Sequence, residues 1–235
     1  MASDVFVVLD SVQFPNGRSW VTRNRIKTPN GQLWLTVPVK RKGRGLQKIK
    51  DIEIDNVYPF THISATLKSR ATGWRRKHFL SLVHFYKRAP YFSEYIDFFN
   101  DIYNKNWTNE VAPLALVELN MVFIKQIAQW LGIKTKIIYS SELAIREKKS
   151  KLILELCKKL NADTYLSGYG GRKYIEESEF LTNNIKVKYF HFEPKHYPQL
   201  WGNFIANLSI IDLLFNCGKN GVDAQIKACC KTRRG

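Results

Sequence analysis

The chain is short of the residue patterns that build most reactive centres. Its four cysteines, Cys157, Cys217, Cys229 and Cys230, show no zinc-ligand spacing. Cys229 and Cys230 are adjacent, a poor geometry for pairing with each other, while Cys157 and Cys217 sit in apolar helical contexts and read as small buried hydrophobes. Five histidines form no H-E-x-x-H motif or other metal pattern. His78 and His84 are too far apart to share a helix face as an i, i+4 pair does, which leaves His62 and His196 as the better site histidines. A G-x-S-x-G elbow is missing, so a hydrolase triad has no support. So are a Walker A loop and the dinucleotide fingerprint. There is no internal repeat, no low-complexity tract and no apolar run of the ~18 residues that a spanning helix needs. With no signal peptide visible, the chain is expected to be soluble and cytoplasmic.

What is abundant is aromatic surface and positive charge. Hydrophobic residues make up 45% and aromatics 13% of 235 residues, with 14 Phe, 11 Tyr and 6 Trp, the composition of a folded protein with a full core. The formal charge is +17. It points to an anionic partner such as nucleic acid, nucleotide phosphates or a membrane surface, or else to a lysine-rich solvated exterior. The length suits one domain, expected over residues 1–218, followed by a basic tail at 219–235.

Val5-Phe6-Val7-Val8-Leu9 is a continuous apolar run, the signature of a strand buried on both faces of a parallel sheet. Turn residues at Pro15-Asn16-Gly17 and Pro29-Asn30-Gly31 bracket a short Trp20–Lys27 segment, and Leu33–Val39 reads as a second strand. Pairing of these two strands would bring Asp10 near Asn24. Ile49–Ile54 alternates as a half-exposed strand. Helical periodicity begins at Trp74 and continues through Leu131, with Gly132 as its stop. Strands at Lys134–Tyr139, Asp163–Leu166 and Ile185–Phe192 then alternate with helices at Ser150–Leu160 and Tyr174–Phe180. A final helix at Leu208–Phe215 is closed by Gly218. The expected class is α/β: a mostly parallel, Rossmann-like sheet flanked by helices, with a helical insertion around residues 74–131.

Ligands of such sheets gather beyond the carboxyl ends of the strands. Asp10 and Gln13 follow the first strand, with Trp20, Asn24 and Arg25 shortly after. Asp10 suits a sugar hydroxyl or amine, a cation, or a proton, or simply starts a turn. Arg25 offers a planar fork for phosphate or carboxylate, and Asn24 can orient a carbonyl or hydroxyl. The stretch Lys40 to Lys50 is a basic, glycine-bearing loop over an anion or an exposed hairpin tip. Ser167-Gly168-Tyr169-Gly170-Gly171, followed by Arg172, Lys173 and Tyr174, is a turn whose backbone N–H groups suit an anion, or a tight turn that needs glycine for its backbone. Asp212 interrupts the apolar run Leu208–Phe215 and requires a partner there, most simply in a salt bridge.

Several segments together resemble the WbqC-like protein family: Ala2–Phe14, Arg18–Lys27, Trp34–Lys40, Tyr86–Phe92, Leu119-Asn120, Ser140–Leu143, Tyr165–Gly168 and Leu208–Asn216. The resemblance covers residues 2–218 in order. Members of that family usually begin with a further strand carrying a His-Gln-Pro motif, which this sequence lacks. The resemblance implies surface-polysaccharide (O-antigen) biosynthesis and an acyl- or aminoacyltransferase acting on a nucleotide-linked amino sugar. Asp10, Asn24 and Arg25 would be its catalytic residues. Gln13, Trp20, Lys40, Ser167, Gly168, Gly170 and Tyr174 would bind substrate. No metal or cofactor is assigned. Two alternatives stand beside it: an RNA- or tRNA-binding protein that uses the positive charge, and a shortened, inactive family member.

Overall fold

The computed structural model describes residues 2–40, 46–55, 73–104 and 115–231. Residues 41–45 of the basic loop, His62 and Leu114 lie outside them, as do the side chains of Cys229 and Cys230. In chain order the elements are β1 (Val5–Val8), β2 (Arg23–Thr28), β3 (Gly31–Thr36), α1 (Trp74–Tyr86), α2 (Phe92–Asn104), α3 (Leu116–Trp130), β4 (Lys136–Tyr139), α4 (Lys149–Lys159), β5 (Thr164–Gly168), α5 (Glu177–Thr182), β6 (Lys186–Phe190) and α6 (Ile210–Lys231). This is a mixed α/β structure, and it divides into two compact units.

The first unit comprises Met1–Phe14, Leu46–Lys50 and Gly132–Glu193. The β-α-β alternation expected here is present, and both of its strand pairings are parallel. β1 runs alongside β4, with Val5 opposite Lys136 and Val8 opposite Tyr139. β5 runs alongside β6, with Thr164 opposite Lys186 and Gly168 opposite Phe190. Helix α4 supplies Leu152, Ile153, Leu154, Leu156 and Cys157 to a core shared with Ile175, Phe180 and Ile185, and Val7 and Leu9 pack against it. Burial of each large aliphatic side chain stabilises the unit by about 1.5–3 kcal/mol. Burial pushes the free Cys157 thiol up to about 11, so it is inert at neutral pH. β1 and β5 do not pair with each other. They line opposite parts of one cleft of about 680 Å³ together with Ile153, Leu156 and Cys157.

Residues 46–50 fold back on the end of β1. Phe14 N–H donates to Gln47 O, Ile49 N–H to Val12 O and Lys50 N–H to Asp10 O. The strand expected at Ile49–Ile54 is therefore not a regular one: Ile49–Asp51 is a single 3-10 turn. Its alternation has a different origin, since Ile52 and Ile54 are the buried residues that follow that turn.

The second unit comprises Pro15–Gly45, Asp51–Leu131 and Pro194–Gly235. The expectation that β1 pairs with the Leu33–Val39 strand is corrected here. β3 instead forms an antiparallel hairpin with β2, from Arg23 opposite Thr36 to Thr28 opposite Gly31. Pro29 and Asn30 keep negative φ and Gly31, at φ +102°, turns the chain into β3, and Thr28 Oγ1 donates to Gly31 O while accepting from Asn30 N–H. The three helices between residues 74 and 130 carry the aromatic core. Phe99, fully buried, meets Phe123 and Trp130 of α3 and Phe215 of α6 at 5.8–6.2 Å between ring centroids. Such tilted and offset ring pairs each add about 0.5–1.5 kcal/mol beyond burial.

Residues 219–231, expected as a tail, are helical. Gly218 breaks α6 as the sequence suggests, with φ +62°, but the helix resumes beyond it. A Cβ at this position would lie 2.7 Å from the Tyr91 ring. Gly218→Ala is therefore expected to lower stability by roughly 1–3 kcal/mol through strain and overpacking, measured by denaturant unfolding.

His78 is buried against the Trp74 and Tyr103 rings, and desolvation lowers its pKa to about 4 against a hydrogen bond to the Thr36 carbonyl. The unfolded chain takes up this proton near pH 6.5, the folded one only near pH 4. Stability should therefore fall by about 3 kcal/mol as pH drops through that window. His78→Gln should flatten that part of the pH–stability curve. An unchanged slope would contradict a buried neutral imidazole.

Candidate functional site

The residues expected at a site fall into two groups. Asp10, Gln13, Ser167, Gly168, Gly170 and Tyr174 belong to the first unit, and Trp20, Asn24, Arg25 and Lys40 to the second.

In the first unit, Asp10 follows β1 and is only 3% exposed. Its Oδ1 accepts from Ser140 Oγ at 2.9 Å and Ser141 N–H at 2.9 Å, and its Oδ2 accepts from Ser141 Oγ at 2.6 Å. Ser11 Oγ joins this cluster at 2.8 Å from Ser140 Oγ. Both carboxylate oxygens are thus committed to the 3-10 turn Ser140–Leu143 at the end of β4. Gln13 is exposed and lies in an antiparallel bridge with Lys48.

Ser167 and Gly168 end β5, and a 3-10 turn Tyr169–Lys173 follows. Buried Ser167 donates to Gly168 O at 3.0 Å. Of Gly168, Gly170 and Gly171, only Gly171 is demanded by packing, because a Cβ there would collide with Ser167 Oγ. Gly168 and Gly170 face open space. Exposed Tyr174 lies just beyond, and the Arg172 guanidinium stacks over the Tyr169 and Tyr189 rings at 5.0 and 4.8 Å.

In the second unit, the hairpin sets the geometry. Side chains alternate faces along a strand, so Arg23, Arg25 and Lys27 share one face with Thr36, Trp34 and Gln32, while Asn24 projects to the other. Asn24 is exposed and its Oδ1 accepts from Arg25 N–H. Asn24 and Arg25 therefore project to opposite faces of the hairpin.

The three cations on the shared face differ in how far the protein satisfies them. Lys27 is 1% exposed, and its Nζ donates to Gly202 O and Asn203 O. Burial lowers its pKa, opposed by the charge of Asp212. Arg25 donates from Nη1 to Gln32 Oε1 at 2.8 Å and from Nη2 to Asn207 O at 2.6 Å. Arg23 stacks on Trp34 with its Cζ 4.0 Å from the ring centroid, yet its Nε is buried without an acceptor, as is Arg25 Nε. An orphaned buried donor costs about 1–3 kcal/mol, partly offset by the cation–π contact. Trp20, 62% exposed, lies 5.1 Å from Trp34, and Arg25 sits over both rings. Beside this stack opens a pocket of about 530 Å³, lined by Arg18, Thr22, Arg23, Trp34 and Thr36 among others, with no carboxylate. Lys40 is ion-paired with Glu53 at 2.9 Å.

Asp212, expected to need a salt bridge, is instead satisfied by phenols. It is fully buried and accepts from Tyr86 OH at 2.7 Å and Tyr197 OH at 2.9 Å. Burial raises its pKa, against these two hydrogen bonds and the Lys27 charge. Tyr86 OH in turn accepts from Lys27 N–H.

A model of the WbqC-like protein family matches residues 1–224. The chain belongs to that family. It is also 35% identical over 222 residues to the uncharacterized protein Rv1507c of Mycobacterium tuberculosis (strain ATCC 25618 / H37Rv), a match covering 94% of this chain and 87% of the other. No solved structure matches it. Among the described residues no group of three or more His, Cys, Asp or Glu could hold a metal ion in this WbqC-like chain, and no helix is long and apolar enough to cross a membrane.

Arg23 and Trp34 were absent from the site expected from sequence. The signal was there: Arg23, Arg25 and Lys27 recur at every second residue ahead of a two-residue turn, which is a hairpin pattern. His196 packs on Phe204 with centroids 4.7 Å apart.

Because Asp10 accepts three hydrogen bonds while buried, Asp10→Ala should cost roughly 2–4 kcal/mol in thermal or denaturant unfolding, by leaving Ser140 and Ser141 unsatisfied. An unchanged melting temperature would remove this structural role.

Proposed function

We propose that this WbqC-like chain is an acyl- or aminoacyltransferase acting on the amine of a nucleotide-linked amino sugar, in surface-polysaccharide biosynthesis of the O-antigen kind. Family membership supports a place in polysaccharide biosynthesis, and the transfer chemistry is this reading's own. The observation that carries the reading is the Trp20–Trp34 pair with Arg25 over both rings, beside a carboxylate-free pocket. Indole faces suit the apolar faces of a sugar or base, and guanidinium groups suit phosphate oxygens. In the transfer, the sugar amine attacks the carbonyl carbon of an activated acyl donor. The N–C bond forms, the donor's leaving group departs and the amine gives up a proton. Taken by itself, the first unit's Ser167–Gly171 turn, with open space at Gly168 and Gly170, suits an anion. The fold that goes with it is a Rossmann-like sheet.

A second reading, binding of single-stranded RNA or tRNA, draws on the +17 charge and on exposed Trp20. One variant separates the two. Trp20→Ala should leave the melting temperature unchanged, because the indole is largely solvent-exposed. It should weaken a nucleotide-linked amino sugar about tenfold or more, the worth of a lost stacking contact. Equal sugar-nucleotide affinity in wild type and variant would defeat the transferase reading. Retention on single-stranded RNA at ~150 mM salt, with a steep log–log salt slope, would select the RNA reading instead.

A further inference from the structure

Along β2 the protein satisfies less of each cation toward Arg23, and Arg25 already leaves its Nε without an acceptor. Lys27 gives its protons to two backbone carbonyls, and Arg25 gives two of its own to Gln32 and Asn207. Arg23, the next on the same face, forms no ion pair among the described residues, and its buried Nε has no acceptor. The Trp34 ring beneath it holds the guanidinium plane in place. That plane borders the pocket of about 530 Å³, whose lining adds the Arg18 guanidinium and the Thr22 and Thr36 side chains and contains no acidic group. Two guanidinium groups without a carboxylate, one of them pre-oriented by stacking, match an anion of more than one charge and planar-fork geometry.

We infer that Arg23, with Arg18 beside it, is the receptor for a diphosphate in this pocket. The assignment of that diphosphate to a sugar nucleotide rests on the function proposed above, whereas the anion site stands on its own geometry. Arg25 and Lys40, the cations that sequence alone favoured, are positioning groups here, since each already has a protein partner.

Titration of the full chain with inorganic pyrophosphate, followed by tryptophan fluorescence, tests this directly, because Trp34 lies under the receptor. Saturable binding is expected in wild type, weakened at least tenfold in Arg23→Gln and clearly in Arg23→Lys, which keeps the charge but loses the fork. Lys158→Gln, which removes an equal charge from an exposed position on α4, should leave it unaltered. If Arg23→Gln does not fold, the Arg23→Lys comparison decides. Pyrophosphate affinity unchanged in a folded Arg23 variant, or no saturable binding to wild type, overturns the inference. Arg23-dependent pyrophosphate binding with no added affinity for a nucleotide-linked amino sugar keeps the anion site and defeats the sugar-nucleotide reading.

Discussion

The second unit depends on one buried polar junction. Asp212 in α6 takes hydrogen bonds from Tyr86 at the end of α1 and from Tyr197, and Tyr86 takes the backbone N–H of Lys27 in β2. Lys27 then anchors Gly202 and Asn203. A fully buried carboxylate is tolerated in the first turn of α6 because two phenols satisfy it and an ammonium lies nearby. Without them the desolvation cost would run to several kcal/mol. The junction also locks the register of β2, and register decides which side chains share a face. A slip of one residue would turn Arg23 and Arg25 away from Trp34.

That dependence explains why the site was only half legible in sequence. The apolar runs of β1, β4 and β5, the alternation of β6 and the spacing of the helices between them were readable because each element's own pattern determines it. Helix α3 and the break at Gly218 were readable for the same reason. The hairpin was harder. Its first strand, Arg23–Thr28, is polar and basic, with one apolar residue, Ile26, so hydrophobic alternation does not announce it. What makes it a strand is pairing with β3 and the junction at Lys27, both of which are non-local. The 219–231 helix escaped notice because its charge resembles that of a solvated tail, yet Val222 and Gln225 are buried.

The same contrast holds among the candidate site residues. Sequence chose by residue type, and so chose the groups best able to bind anything, including the protein itself. Asp10, Arg25 and Lys40 each hold internal partners, although Arg25 keeps one donor unmatched. A ligand site needs the reverse, a strong group that the fold has positioned and left unsatisfied, and only three-dimensional accounting of donors and acceptors reveals it. Stacking on an indole is one of the few ways to orient a guanidinium without using up its hydrogen-bonding capacity.

The first unit carries a comparable surplus in its main chain. β1 and β5 each have a strand neighbour on one side and, among the described residues, none on the other, and both borders open onto one cleft. Ladder groups on those borders have no strand partner among the described residues, so their amides are expected to exchange with solvent sooner than those inside the two pairs. The gap also has a polarity, because the strand on each side of it is held parallel to its partner. Each pair therefore ends, among the described residues, on an unpaired border whose direction is set by its partner strand.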